Sequence, residues 1–181
     1  AICHSYILFI DGGWGGSLPA VYGHEAGGRV AAVGDGVDVV APGDRVVVSL
    51  IRSCGACPGC QKGMPITCTG RFSIDRTRPL TDANGDSLVH GLKTGTFAEE
   101  AIVDQSQVVA IPDAIPVASA ALLGCGVITG FGAVTNTARI EAGSDVAVIG
   151  CGGVGLNAVQ GAAIAGAAQV IAIDVADDKL D

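Results

Sequence analysis

The chain has 181 residues, a formal net charge of −8, 49% hydrophobic residues and seven cysteines. Acidic residues outnumber basic ones by 18 to 10, so the surface repels phosphate backbones and we expect no nucleic-acid partner. Only 15% of the residues are charged, and together with the apolar content this excludes a disordered chain.

The first half of the chain has the composition of short strands. Between residues 23 and 49, Val/Ala runs alternate with turn sequences at 34–36 and 41–44, and residues 45–49 form the clearest strand. Residues 97–103 and 107–111 are again strand-like. From about Pro116 onward, small apolar residues occur at helical spacing. We place the domain boundary near residues 125–129 and predict domains 1–126 and 127–181.

Two long segments, residues 114–137 and 146–173, contain no charged residue. Each is long enough to span a bilayer. Glycines, amides and Pro116 interrupt them, which is typical of buried strands and helices in an α/β core. We therefore expect no membrane span and a cytoplasmic location.

Four cysteines fall within 15 residues, separated by two, two and seven positions: Cys54, Cys57, Cys60 and Cys68. Four thiolates on one Gly- and Pro-rich loop can complete a tetrahedral zinc shell with no open position, which indicates a structural site. A disulfide framework and an iron–sulfur cluster are the alternatives. The odd cysteine total and the two-residue spacings disfavour disulfides.

The last third of the chain contains a second strong pattern. An apolar strand at residues 145–149 leads into Gly150–Gly155, a G-x-G-x-x-G turn, and then into a helix that Gly166 can end. A second apolar strand ends at Asp174. This arrangement is typical of a dinucleotide-binding unit, in which Gly150, Gly152, Gly153, Val154 and Gly155 approach a pyrophosphate. The Asp174 carboxylate can bind a ribose 2′-hydroxyl and repels a 2′-phosphate, which favours NAD over NADP.

Three further residues have the side-chain types that bind zinc in an open site: Cys3, His24 and Cys125. Three ligands with a free fourth position are typical of catalytic zinc. Their spacing alone does not establish a site, because an isolated histidine or buried cysteine is more often simply packed.

Together these motifs closely resemble the zinc-dependent alcohol dehydrogenases of the medium-chain dehydrogenase/reductase superfamily. The resemblance follows the whole chain in order and is strongest to the class III branch, which oxidises glutathione-bound formaldehyde. It implies a GroES-like, β-rich catalytic domain with a structural zinc loop at 54–68, followed by the start of a Rossmann domain with a doubly wound parallel sheet. It also implies two zinc ions per subunit, NAD, a small alcohol or aldehyde substrate and a homodimer or homotetramer.

The resemblance further assigns roles to individual residues. It makes Cys3, His24 and Cys125 the catalytic zinc ligands, and Glu25 a transient ligand or a neighbour of the ligands. It implies that Ser5 takes the alcohol proton and that His4 contacts the coenzyme pyrophosphate. Thr129 then packs beside the nicotinamide.

Three features depart from the family pattern. Tyr6 stands where an acidic residue usually orients the ligand histidine, and Leu8 stands where many relatives end their proton relay with a histidine. The third is length, because the coenzyme domain of the family needs six strands. We therefore expect the chain to be part of a longer enzyme and inactive on its own. A zinc-stabilised, non-catalytic binding module is the alternative function.

Overall fold

A computed structural model describes residues 1–180 of the chain. These residues form two compact units, the first covering residues 1–124 and the second beginning at Cys125. The division lies two residues before the domain boundary predicted after residue 126. Each unit is described separately below.

The first unit combines short strands with short helices. Its elements are, in chain order, α1 (Ser5–Ile10), β1 (Ala20–Val21), β2 (Ala26–Arg29), β3 (Arg45–Val48), α2 (Pro58–Gln61), α3 (Ser73–Thr77), β4 (Val89–His90), β5 (Val108–Ala110) and α4 (Val117–Leu122). Strands β2, β3 and β5 form an antiparallel sheet with β3 in the centre, and β1 pairs with β4 in parallel.

The central strand β3 supplies much of the core of this unit. Its three valines, Val46, Val47 and Val48, are between 5% and 9% exposed. Branched side chains suit a pleated surface that is covered on both faces, and the strand predicted at 45–49 is confirmed. Helix α4 packs on β2 and β3. The helical residues continue to Gly124, where a Cβ atom would lie 2.5 Å from the Val48 carbonyl oxygen, so this close approach requires glycine.

Two strand predictions in this unit are wrong. Residues 97–103 contain no strand, and neither do the Val/Ala runs on either side of residues 34–36. Their composition favours strands, but among the described residues their backbone pairing stops at Val30, which bonds residues 43 and 44, and at Phe97, which bonds Tyr22. Strand formation needs a hydrogen-bonded partner strand, which propensity does not supply. Helix α1, which the sequence patterns did not predict, occupies the segment after Cys3.

The second unit contains one strand–helix–strand motif preceded by helices. Wide helical turns at Leu123–Val127 and Ala133–Ala138 flank α5 (Ile128–Gly132), and β6 (Asp145–Ile149), α6 (Gly153–Ile164) and β7 (Gln169–Ile173) follow. Strands β6 and β7 pair in parallel, from Asp145 opposite Gln169 to Ile149 opposite Ile173. Helix α6 packs on both strands and on α5. The predicted strand, glycine turn, helix and second strand are confirmed.

Within residues 1–180, one helical run, Val117–Ala138, has the length and composition to cross a membrane. Its most apolar window is 28% buried, and parts of the run pack on neighbouring elements. In the first unit α4 covers the sheet, with Ala120 and Ala121 buried, and in the second α5 packs on α6, with Gly130 and Val134 buried. These contacts favour the predicted α/β core over a membrane span.

Candidate metal and coenzyme sites

The four clustered cysteines converge at one point of the loop that contains α2. Their sulfur atoms all lie within 4.8 Å of one another. Backbone N–H groups also point at these sulfurs, with Cys57 donating to Cys54 and Gly70 donating to Cys68 at 3.4 and 3.3 Å. All seven cysteines of the chain are free thiols, which argues against the disulfide alternative.

Hydrogen bonds in the loop favour the thiolate, the form that binds metal, at two of the four cysteines. Backbone N–H groups of Cys60 and Thr69 lower the pKa of Cys57 to about 5, and those of Gly70 and Cys54 lower the pKa of Cys68. Desolvation and a thiol contact with Cys57 raise the pKa of Cys60 to about 11. Four soft sulfur donors with hydrogen-bonded thiolates fit a structural zinc ion.

A buried arginine holds the beginning of this loop in place. The Arg52 side chain is 2% exposed and donates to Gln107 Oε1 at 2.9 Å, to the Lys93 carbonyl at 3.0 Å and to Asp75 Oδ1 at 2.5 Å. Its guanidinium also lies 5.3 Å from the centroid of the Phe72 ring. Sequence reasoning missed Arg52 and Gln107, because their partners are distant in sequence and no local spacing indicates them.

The first unit also brings together two of the three residues expected to form an open zinc site. Cys3 precedes α1, His24 lies between β1 and β2, and their ligand atoms are within 4.8 Å of each other. His24 is 2% exposed, and its Nδ1 is hydrogen-bonded to the Tyr6 hydroxyl at 2.5 Å. Burial lowers the pKa of His24, which favours the neutral imidazole that metals bind.

The other residues expected near this pair lie on the same segments. Glu25 is buried directly after His24, and its backbone carbonyl accepts a 2.8 Å hydrogen bond from the N-terminal amine. The Ser5 hydroxyl oxygen is buried and has no hydrogen-bond partner within residues 1–180, so it can accept a ligand hydrogen bond. His4 is exposed at the beginning of α1.

The remaining expected residues belong to the second unit. Cys125, the third expected ligand, directly follows Gly124 in the helical run Leu123–Val127 and is partly buried. Thr129 is exposed on α5. The next residue, Gly130, packs against α6, near the backbone of Val154 and Ala158.

The glycine turn has the geometry expected of a phosphate-binding loop. Gly150 has a φ of +95°, a value that favours glycine, and the turn places the first residues of α6 directly after it. A Cβ atom on Gly155 would collide with the Gly150 carbonyl oxygen. The close packing of α6 against the turn therefore also requires glycine at position 155. Gly152 and Gly153 are exposed at the N-terminus of α6, where backbone N–H groups attract anions.

Asp174 lies at the end of β7 and is bound to this turn. Its carboxylate accepts a 2.7 Å hydrogen bond from the Cys151 N–H and a 3.0 Å bond from the Ala176 N–H. These two bonds, in that order, lower the pKa of Asp174, with a smaller contribution from Lys179. Sequence reasoning found the carboxylate but missed both its bond to the turn and the Lys179 ammonium, 3.8 Å away.

Comparisons with known proteins agree with this geometry. Residues 1–113 match the family model of the alcohol dehydrogenase GroES-like domain. The chain therefore belongs to the zinc-dependent alcohol dehydrogenase family, which uses zinc and NAD, as the sequence motifs predicted.

Individual relatives match almost the whole chain. It is 40% identical to the probable S-(hydroxymethyl)glutathione dehydrogenase 1 of Schizosaccharomyces pombe over 99% of the chain and 49% of the relative. It is 43% identical to alcohol dehydrogenase B of Mycobacterium tuberculosis over 91% of the chain and 45% of the relative. The chain thus spans about half the length of the curated relatives that it matches.

Solved structures give the same result for the fold. A zinc-binding-domain alcohol dehydrogenase from Burkholderia ambifaria superposes with a TM-score of 0.87 at 35% identity, over 99% of this chain and 50% of that one. The benzyl alcohol dehydrogenase of Acinetobacter calcoaceticus superposes with a TM-score of 0.84 at 32% identity, again over 99% and 50%. The predicted fold class, a GroES-like catalytic domain followed by the start of a coenzyme domain, is confirmed.

Proposed function

We propose that the full-length protein is a zinc- and NAD-dependent alcohol dehydrogenase that oxidises a primary alcohol to an aldehyde. The proposal rests on three features found in one chain: the four-cysteine loop, the Cys3–His24 pair and the glycine turn at residues 150–155. The thiol quartet is complete in itself, whereas Cys3 and His24 leave positions for a third ligand and a substrate. A zinc-stabilised binding module would need only the first.

Cys125 is proposed as the third ligand of the catalytic zinc. It directly follows Gly124, which packs against the backbone of Val48 and His24 within the first unit. Cys125 is the next residue after a glycine that lies against His24, and this supports the assignment. A zinc ion held there would act as a Lewis acid on an alcohol oxygen.

The side chains around the ligands then have distinct roles. The Ser5 hydroxyl, buried and without a partner in the described residues, would accept the proton that the alcohol loses while passing its own proton on. Leu8 cannot continue this proton relay, so the relay ends on water or on another group. Glu25, buried beside His24, supplies negative charge close to the ligands.

The coenzyme is proposed to bind along the glycine turn. The exposed N-terminus of α6 receives the pyrophosphate, with His4 as a further contact, and Thr129 packs beside the nicotinamide. Asp174 accepts hydrogen bonds from the adenosine ribose and disfavours a 2′-phosphate by charge. Lys179 only partly offsets that charge, because it is half-exposed and 3.8 Å away.

Substrate identity is proposed from the relatives. The S-(hydroxymethyl)glutathione dehydrogenases among them support S-hydroxymethylglutathione, and the benzyl alcohol dehydrogenase supports an aromatic alcohol as the alternative. We further propose that the enzyme is a cytoplasmic homodimer or homotetramer.

A panel of alcohols, each with NAD and with or without formaldehyde plus glutathione, tests the proposal on the full-length protein. We expect NADH production with at least one alcohol and its loss in Cys125→Ser. Absence of turnover with every substrate, from protein that carries two zinc ions per chain, would contradict it.

A further inference from the structure

The phenol hydroxyl of Tyr6 is in direct contact with His24, an expected zinc ligand. Relatives usually have an acidic residue at this position. The Tyr6 hydroxyl lies 2.5 Å from Nδ1 of His24, and the tyrosine is only 4% exposed. The ring is wedged between aromatic neighbours, with centroids 4.7 Å from Phe97 and 6.2 Å from Tyr22. The phenol therefore has little freedom to leave the histidine.

We propose that Tyr6 is the positioning residue of the catalytic zinc site, fixing the His24 ring so that Nε2 is the metal-binding nitrogen. The inference rests on the proposed zinc enzyme and concerns how this chain prepares its ligand. A histidine binds metal through one ring nitrogen while the hydrogen bond of the other fixes orientation and tautomer. A phenol can donate or accept in this bond; the inference is that Nδ1 carries the proton and donates it to the phenol oxygen, which leaves the Nε2 lone pair for the metal.

A phenol performs this role without adding charge. His24 and Glu25 are both buried, at 2% and 8% exposure, so an acidic residue at position 6 would place a second carboxylate in the same interior. Two buried carboxylates repel each other, and each must be desolvated. The tyrosine avoids this cost and its ring also fills the aromatic cluster, at the expense of the basicity that a carboxylate partner gives to the imidazole.

The decisive comparison is between two tyrosine hydroxyls in the same cluster. Tyr6→Phe removes the hydroxyl that touches His24, whereas Tyr22→Phe removes the hydroxyl of the neighbouring ring and serves as the matched control. Loss of such a partner typically weakens metal binding by about 10–100-fold. In Tyr6→Phe we expect this loss of affinity for the zinc proposed at His24 and Cys125, and in Tyr22→Phe we expect no loss. The zinc bound by the four-cysteine loop should be unchanged in both variants. Competition with a chelator on the full-length protein measures these affinities.

A second measurement reports the tautomer without any activity. In the metal-free protein at a pH where His24 is neutral, ¹⁵N NMR distinguishes a proton on Nδ1 from one on Nε2. The parent and Tyr22→Phe are expected to carry it on Nδ1, and Tyr6→Phe is expected to shift it toward Nε2.

Tyr6→Asp provides a rescue. A carboxylate accepts the same hydrogen bond but leaves the ring volume empty, so we expect zinc affinity at least equal to the parent and a lower melting temperature. If Tyr6→Phe retained its zinc and its tautomer as Tyr22→Phe does, the inference would be overturned, even with an active parent. A parent that oxidises no alcohol, combined with zinc loss in Tyr6→Phe, would overturn the proposed function and leave the positioning role intact.

Discussion

The two sulfur-containing sites of this chain are built in opposite ways. The quartet takes all four ligands from a single loop of 15 residues, which is partly exposed and whose backbone N–H groups bond the sulfurs. Cys3 and His24 come from segments 21 positions apart, and the histidine is buried and held by Tyr6. A closed structural site thus needs local geometry, whereas an open site depends on the fold to bring its ligands together.

The largest expected effect follows from breaking the local site. Cys57→Ser removes a thiolate whose pKa is already lowered to about 5 by backbone N–H groups, so zinc and the folding free energy that it supplies are lost together. We expect the melting temperature to fall by roughly 10 °C or more in the full-length protein. Cys151→Ser, which removes a buried thiol outside both sites, is the matched control and should retain both zinc ions.

A smaller effect is expected from the anchor of the quartet loop. Arg52→Met removes two charge-assisted hydrogen bonds, to Gln107 Oε1 and the Lys93 carbonyl, at a cost of about 2–3 kcal/mol in unfolding free energy. Each acceptor keeps one other donor, the Asp104 N–H and Gln107 Nε2 respectively. The half-exposed Asp75 adds little. Because the thiols remain, the zinc count should stay unchanged in urea-unfolding and metal assays.

Arg29→Met is the control for this measurement. The exposed Arg29 side chain makes one hydrogen bond within residues 1–180, to the Gly43 carbonyl, so we expect a change within about 0.5 kcal/mol. Equal destabilisation by the two substitutions would show that Arg52 does not anchor the loop.

The smallest effect is expected at the coenzyme turn. Asp174→Asn replaces a charged acceptor that holds the Cys151 N–H, and we expect NAD affinity to fall by about 10-fold in calorimetry, whereas the exposed Asp178→Asn should not alter it. The pKa of Asp174 is lowered in the folded state. Its contribution to stability is therefore present at neutral pH and is lost as the pH falls through that lowered pKa. Acidification should therefore narrow the difference in unfolding free energy between Asp174→Asn and Asp178→Asn. A difference that widened as the pH fell would contradict this account.

What could be predicted from the sequence follows the same division between local and distant interactions. The quartet and the strand–turn–helix–strand motif were predictable because their residues are neighbours in sequence and their spacing carries the chemistry. The Arg52 network and the Tyr6–His24 hydrogen bond join residues 55 and 18 positions apart, and no local pattern encodes them. Residues 97–103 failed as a predicted strand for the related reason that pairing depends on a partner elsewhere in the chain.

The zinc content of the purified full-length protein, measured by elemental mass spectrometry on the parent and two variants, tests the central claim most directly. We predict two zinc ions per chain in the parent, and one in both Cys57→Ser and Cys125→Ser. The melting temperature should fall strongly only in Cys57→Ser. A parent with a single zinc ion, or a Cys57→Ser variant that keeps the parental melting temperature after losing one, would contradict the division into a structural and a catalytic site.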